Sequence, residues 1–263
     1  MMAEKPPLPP VEMRALVGPV DDASFDNPTG QKLFDGKRIF DFGCGCGRVA
    51  RRLMLQDNPP EEYLGVDLHA GMIRWAQDNL TPYAKQFQFK HLNVYNVGFN
   101  PSGTDRFQPL PGKSRQYDVI LAHSVFTHIL QEEVESYLHE ISRMLAEDGI
   151  FHSTFFTFDR GDFPMLQDFQ NALYINWVDA TNATIFDREW LKGVAAKAGL
   201  RMTTIQPPAI RGFHWLIEFG HDWAGKSEAE WPADSLVVGH SPPPLSPQRA
   251  DQIGTMANAA TTV

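Results

Sequence analysis

The chain has 263 residues, 43% hydrophobic and 21% charged, with 23 basic against 32 acidic side chains and a net charge of −9. That balance suits a globular protein of one large domain or two small ones, and the acidic excess argues against nucleic acid as a partner, since phosphate affinity comes mostly from Lys and Arg. No apolar run reaches the about 18 residues that suggest a membrane span. The start, Met1-Met2-Ala3-Glu4-Lys5-Pro6, lacks the apolar core of a signal peptide. Two cysteines, Cys44 and Cys46, are too few for a disulfide framework, so a reducing cytoplasm is the expected setting.

Residues 1–10 hold four prolines and are expected to be disordered, as is the Pro-rich tail 232–263. Between them, residues 11–231 form one domain. Residues 13–18 and Phe25 are candidates for a lid, with ordinary helix packing as the competing reading. The run 38–42 reads as a first strand ending in a glycine-rich turn, followed by a helix over 48–55 that stops at Asn58-Pro59-Pro60. A second strand at 63–66, a helix at 72–80 and a third strand at 87–94 follow. The polar, Gly- and Pro-rich stretch 96–116 reads as a surface insertion.

Residues 117–122 have the unbroken apolar character of a buried parallel strand. The helix 131–146 carries Val134, Tyr137, Leu138, Ile141, Met144 and Leu145 on one face and is expected to stop at Gly149. Residues 150–158 make a fifth strand. The stretch 163–186 has no simple period and is expected to cover an acceptor pocket. Asp187 caps a helix running to Ala198 and closed by Gly199, and two strands follow at 201–206 and 213–219. This alternation predicts an α/β fold, doubly wound and Rossmann-like, with a mostly parallel seven-stranded sheet and ligands at the carboxyl ends of its strands.

The turn Asp41-Phe42-Gly43-Cys44-Gly45-Cys46-Gly47-Arg48 departs from the dinucleotide fingerprint, because Arg48 stands where G-x-G-x-x-G requires its third glycine. No Lys-Ser/Thr pair follows, so it is no phosphate-cradling P-loop either. Twenty residues beyond Gly47, Asp67 ends the second strand, where a carboxylate can accept bonds from both hydroxyls of a ribose. The cysteines read as small residues packed beneath a ligand, since the neighbourhood offers no further metal ligands.

Residues 39–47, Leu64-Gly65-Val66-Asp67, His91-Leu92-Asn93-Val94, 117–122 and 138–155 resemble the class I S-adenosylmethionine-dependent methyltransferases over roughly residues 35 to 220. The resemblance implies S-adenosyl-L-methionine as cofactor. Asp41, Gly43, Gly45 and Gly47 would flank its methionine part, together with His123. Asp67 would hold the ribose, and Leu68, Met72, Asn93 and Val94 would border the adenine. Asn93 stands where the family often has Asp, and its carbonyl oxygen can accept the same bond. Within the family the chain resembles bacterial small-molecule and sugar O-methyltransferases, the mycobacterial methylmannose polysaccharide type being the sharpest form.

Transfer to a hydroxyl needs a general base or a metal. His123 is the first candidate base, with hydrogen bonding at the methionine end as its structural alternative, and His128 is the second. Asp159 and Asp162, beside the aromatics of 155–158, together with Tyr174 and Trp177, are candidate acceptor-binding residues of the kind a sugar ring requires. The two loop acids also raise Mg²⁺ as a candidate second cofactor. The expected partner is a small-molecule or oligosaccharide acceptor, with a homodimer left open. The rival readings are a methyltransferase for a lipid or polyketide hydroxyl, an NAD-dependent oxidoreductase, and a non-catalytic cofactor-binding protein.

Overall fold

A computed structural model describes residues 5–16, 34–176, 178–210 and 214–232. Phe25, residues 17–18, Trp177, Phe213 and the tail 233–263 lie outside the described residues. The described strands are β1 (Arg38–Phe42), β2 (Glu62–Asp67), β3 (Phe87–His91), β4 (Tyr117–Ala122), β5 (Leu145–Phe158), β6 (Ala172–Tyr174), β7 (Thr184–Asp187), β8 (Leu200–Ile210) and β9 (His214–His221). The α-helices are α1 (Val11–Leu16), α2 (Arg48–Met54), α3 (Ala70–Asn79), α4 (Gln131–Met144) and α5 (Arg188–Lys197).

Strands β1 to β5 run parallel in the order β3-β2-β1-β4-β5. Beyond β5 the sheet continues with β9, antiparallel to it, and then β8. These seven strands are the sheet that alternation predicts. The short strands β7 and β6 are two more: β7 joins the end of β5 at Phe156–Phe158 in parallel, and β6 pairs antiparallel to β7. Both faces of the central strands are covered, which is why β1 and β4 are buried almost without interruption. On one face Phe40, Ile120, Phe151 and Phe155 meet the apolar stripes of α4 and α5. On the other, Ile39, Tyr63, Val119 and Leu121 pack on Leu53 of α2 and on Ile73 and Ala76 of α3.

Helix ends follow local chemistry. Asp187 Oδ1 accepts the Trp190 N–H at 2.8 Å to start α5, and Gly199, at φ 71°, follows its end. At the start of α4 the Glu133 carboxylate accepts the Leu130 N–H at 3.1 Å. Two boundaries differ from expectation. The third strand stops at His91, short of residue 94, because β2 ends opposite it and the Asn93 N–H turns to the Gln108 side chain at 3.2 Å. Helix α4 ends at Met144, before Gly149. Leu145 is already extended and pairs with Tyr117, and Gly149 sits just before the register shift that brings Val119 opposite Ile150.

Residues 5–10, expected to be disordered, are seated: Pro6 and Pro9 are buried, and Arg51 Nε donates to the carbonyls of Pro6 at 2.8 Å and Pro7 at 3.2 Å. Leu8 and Met13 pack on Cys46 and Met72. No helix among the described residues is long and apolar enough to cross a membrane.

Candidate active site

At the carboxyl ends of β1, β2 and β4 lies a cavity of about 570 Å³. Its first wall is the turn between β1 and α2. Gly43, Gly45 and Gly47 all have positive φ. The N–H groups of Gly43 and Cys44 donate to the Val66 carbonyl at 2.8 and 3.0 Å, so the turn is tied to β2. A Cβ on Gly43 would stand 2.3 Å from Val125 Cγ2, so only glycine lets the turn after β4 press against this loop. Gly47 lies outside the cavity lining and serves packing: its Cβ would meet Leu80 Cδ1 at 2.5 Å.

Asp67 ends β2 with its carboxylate on the cavity. Its Oδ2 accepts the Gly45 N–H at 2.8 Å and its Oδ1 the His69 N–H at 2.7 Å. Each oxygen keeps a second lone pair, which is what a ribose diol needs. Burial raises its pKa, while those two N–H bonds act to lower it. Asp41 is buried beside it and accepts the Tyr63 hydroxyl. Burial pushes its pKa up to about 7, opposed by the Tyr63 bond and reinforced by Asp67. Leu68, Met72 and Val94 also line the cavity. Asn93 does not: its amide donates to Thr104 Oγ1 at 3.1 Å and its Oδ1 accepts from Asn100 at 3.2 Å.

Both cysteines are free and buried. Cys44 Sγ would be 2.8 Å from a Cβ on Gly65, so a small side chain under the loop is a steric demand. Burial pushes the Cys46 thiol up to about 11, and an un-ionised thiol is a poor nucleophile and metal ligand.

The turn after β4 forms the second wall. Ser124 has φ 58°, with its N–H on Thr154 Oγ1 at 2.8 Å and its Oγ 3.0 Å from His214 Nε2. His123 lines the cavity and packs edge-on to His152, ring centroids 5.0 Å apart. Its Nε2 is buried without a hydrogen-bond partner. Burial, and then the neighbouring His152, hold its pKa down to about 3, so the ring is neutral across the working range of most enzymes. His128 is different. Its Nδ1 lies 2.9 Å from the Thr181 carbonyl oxygen, and the Phe99 ring stands edge-on at 5.5 Å.

The outer walls were foreseen only in part. Val97, Phe99 and Arg106 come from the stretch expected to be a surface insertion and Tyr95 directly precedes it, Glu133 and Tyr137 come from α4, and Val178, Asp179 and Thr181 from the segment before β7. The one signal in the sequence was the alternation Tyr95, Val97, Phe99 inside a polar run. Glu133 and Tyr137 are both raised in pKa by burial. Residues 178–181, which fall within 163–186, wall the cavity. Asp159, Asp162 and Tyr174 do not line it. Asp159 Oδ1 accepts the Gly161 N–H at 2.8 Å, and Tyr174 is 40% exposed on β6. Among the described residues no group of three or more His, Cys, Asp or Glu side chains is placed to hold a metal ion.

The residues present fit S-adenosylmethionine: a glycine turn that a Cβ would fill, a half-occupied carboxylate at Asp67, and the unpartnered buried Nε2 of His123. Comparison with known proteins agrees with this geometry. Residues 40–151 match the family model described as "Methyltransferase domain". The chain is similar in fold to a structure from Haloferax volcanii, a complex of the Trm112 methyltransferase activator with a protein described as a methyltransferase. Identity there is 16% over 73% of this chain and 85% of that one, with a TM-score of 0.51. It is likewise similar to the pyocyanin biosynthetic protein PhzM, at 16% identity over 76% of this chain and 54% of that one, with a TM-score of 0.50. Residues 40–151 therefore match a methyltransferase domain, set in a Rossmann-like fold that the chain shares with these structures.

Proposed function

We propose that the protein transfers a methyl group from S-adenosylmethionine to the hydroxyl of a small acceptor with an extended apolar face. The observation that carries this reading is that one continuous cavity joins the Asp41 and Asp67 loop to His128 and to a rim of Tyr95, Val97, Phe99 and Val178. Those four rim side chains are between 38% and 73% exposed, which is costly unless an apolar ligand covers them. Of the residues that argued for a sugar, Asp159, Asp162 and Tyr174 do not line this space and Trp177 lies outside the described residues, so the lipid or polyketide hydroxyl takes precedence over the sugar.

The cofactor, when bound, supplies the activated methyl group. In this reading Asp67 accepts the ribose hydroxyls, Leu68, Met72 and Val94 flank the adenine, and the loop from Asp41 to Gly45 bounds the methionine part. His123, held neutral, offers Nε2 as a hydrogen-bond partner at that end. His128 takes the role of general base, because a base with a pKa near 3 holds a proton too weakly to help an alcohol ionise. Glu133 and Arg106 line the acceptor side.

The test is methyl transfer from labelled S-adenosylmethionine to a hydroxylated fatty acid, a phenol and a mannose oligosaccharide, with and without EDTA. S-adenosylhomocysteine and NAD binding are measured by calorimetry alongside. His128→Ala is expected to lower turnover about 10²-fold or more with S-adenosylhomocysteine affinity kept, while His123→Ala weakens that affinity. Full turnover by His128→Ala would remove it as base. Preference for the oligosaccharide would restore the sugar reading, NAD binding in place of S-adenosylhomocysteine would favour the oxidoreductase, and binding without transfer to any probe would favour a non-catalytic role.

A further inference from the structure

We infer that Asp179 is a positioning residue that decides which nitrogen of His128 carries the proton; the inference deepens the reading of His128 as the base and rests on it. The chain of contacts is short. Asp179 Oδ1 accepts both the Thr181 N–H at 3.0 Å and the Thr181 hydroxyl at 2.6 Å. The Asn182 N–H closes on the Asp179 carbonyl at 3.0 Å, completing a one-turn 3₁₀ segment, Ala180–Asn182. On the near side, Asn176 Oδ1 accepts the N–H groups of Val178 and Asp179 at 3.0 and 3.3 Å. The turn so fixed presents the Thr181 carbonyl to His128 Nδ1 at 2.9 Å.

A carbonyl oxygen only accepts, so Nδ1 must be the donor. The neutral ring then keeps its lone pair on Nε2. Among the described residues no group bonds Nε2, it is not one of the buried unpartnered atoms, and His128 itself lines the cavity. The histidine side chain free in water favours the opposite tautomer, with the proton on Nε2 and no lone pair there to accept a proton. The turn around Asp179 therefore does chemical as well as steric work: the segment that walls the acceptor side also makes the base ready. Asp179 is not needed for its charge, because one oxygen accepting two bonds is sufficient.

That distinction gives the test. Nitrogen-15 long-range correlation spectra of the full chain with S-adenosylhomocysteine bound, at a pH where the ring is neutral, report the tautomer of His128, assigned by its loss in His128→Asn. Wild type is expected to show the Nδ1–H form, as is Asp179→Asn, whose amide oxygen accepts the same two bonds. Asp179→Ala is expected to move the ratio at least about tenfold toward Nε2–H, and Thr181→Val, which keeps the N–H bond, to move it less. The inference falls if wild type shows Nε2–H, a result that needs no variant to fold, or if Asp179→Ala leaves the tautomer unchanged while still binding S-adenosylhomocysteine. It also falls if Asp179→Asn behaves as Asp179→Ala, since charge would then be the requirement. Failure of the base reading looks different: the tautomer responds as stated, yet His128→Ala retains full turnover.

Discussion

Asp41 combines burial, one donor in Tyr63 and one like charge in Asp67, and the balance keeps its carboxyl protonated up to about pH 7. Its folded pKa lies above the ordinary 3.8, so the folded state holds a proton that the unfolded chain has released. Stability is then highest below about pH 4 with respect to this group and is lost as pH rises through 7. Asp41→Asn keeps an acceptor for Tyr63 and removes the titration. It is expected to raise the melting temperature at pH 8, by up to about 4 kcal/mol of stability, and to change little near pH 4. Equal melts for variant and wild type at pH 8 would refute the assignment. Asp67, Gly43 and Gly45 were legible in the sequence because loop chemistry fixes their spacing. The contrast between His123 and His128 was not, since desolvation and a bond to a carbonyl 53 residues away leave no local mark.

Among elements, the helices were the easiest to foresee and the segment between β5 and α5 the hardest. Helices α4 and α5 carry a 3.6-residue stripe and a cap. The intervening segment uses strands and 3₁₀ turns too short to show a period, held instead by side chains. Arg160 is its brace: Nε pairs with Asp187 at 2.7 Å, Nη1 with the Gln167 carbonyl at 3.3 Å, and Nη2 with Gln170 O and Asn171 Oδ1 at 2.9 and 2.8 Å. Asp187 is 2% exposed and also caps α5, so removing its cation leaves a buried carboxylate poorly compensated. Arg160→Ala is expected to cost about 2 kcal/mol in denaturant melts and to speed proteolytic cutting within residues 163–171. S-adenosylhomocysteine affinity is expected to stay as in wild type. Loss of that affinity would show that the brace also supports the cofactor loop.

Across the whole molecule, β5 is the member on which the rest converges, pairing with β4, β9 and β7. At its centre Phe155 is fully buried against Phe126, Phe186 and Phe219, from the turn after β4, from β7 and from β9. Phe155→Ala is expected to lower unfolding stability by about 3–5 kcal/mol; a drop under 1 kcal/mol would mean that these layers do not fold as one unit. The fold class was legible because strand and helix alternate, which leaves a parallel sheet few alternatives. The lateral place of β9 was not, because strand order is set by long-range packing. The acidic excess argued against a dominant cationic surface, but it said nothing of an apolar rim built by a handful of side chains.

Ser124 has one more consequence. Its main-chain N–H is held by Thr154 of β5 and its hydroxyl by His214 of β9, and the loop that its neighbour Val125 presses on hangs from β2. The amides on that side of the cavity are expected to exchange slowly with solvent, as measured by hydrogen exchange of the full chain. Across the cavity, the amides of Val178, Asp179 and Thr181 are bonded to Asn176 and Asp179 of their own segment, and a local excursion frees them. One cavity is thus expected to have two walls that open at different cost, a stiff bed on the cofactor side and a yielding cover on the acceptor side.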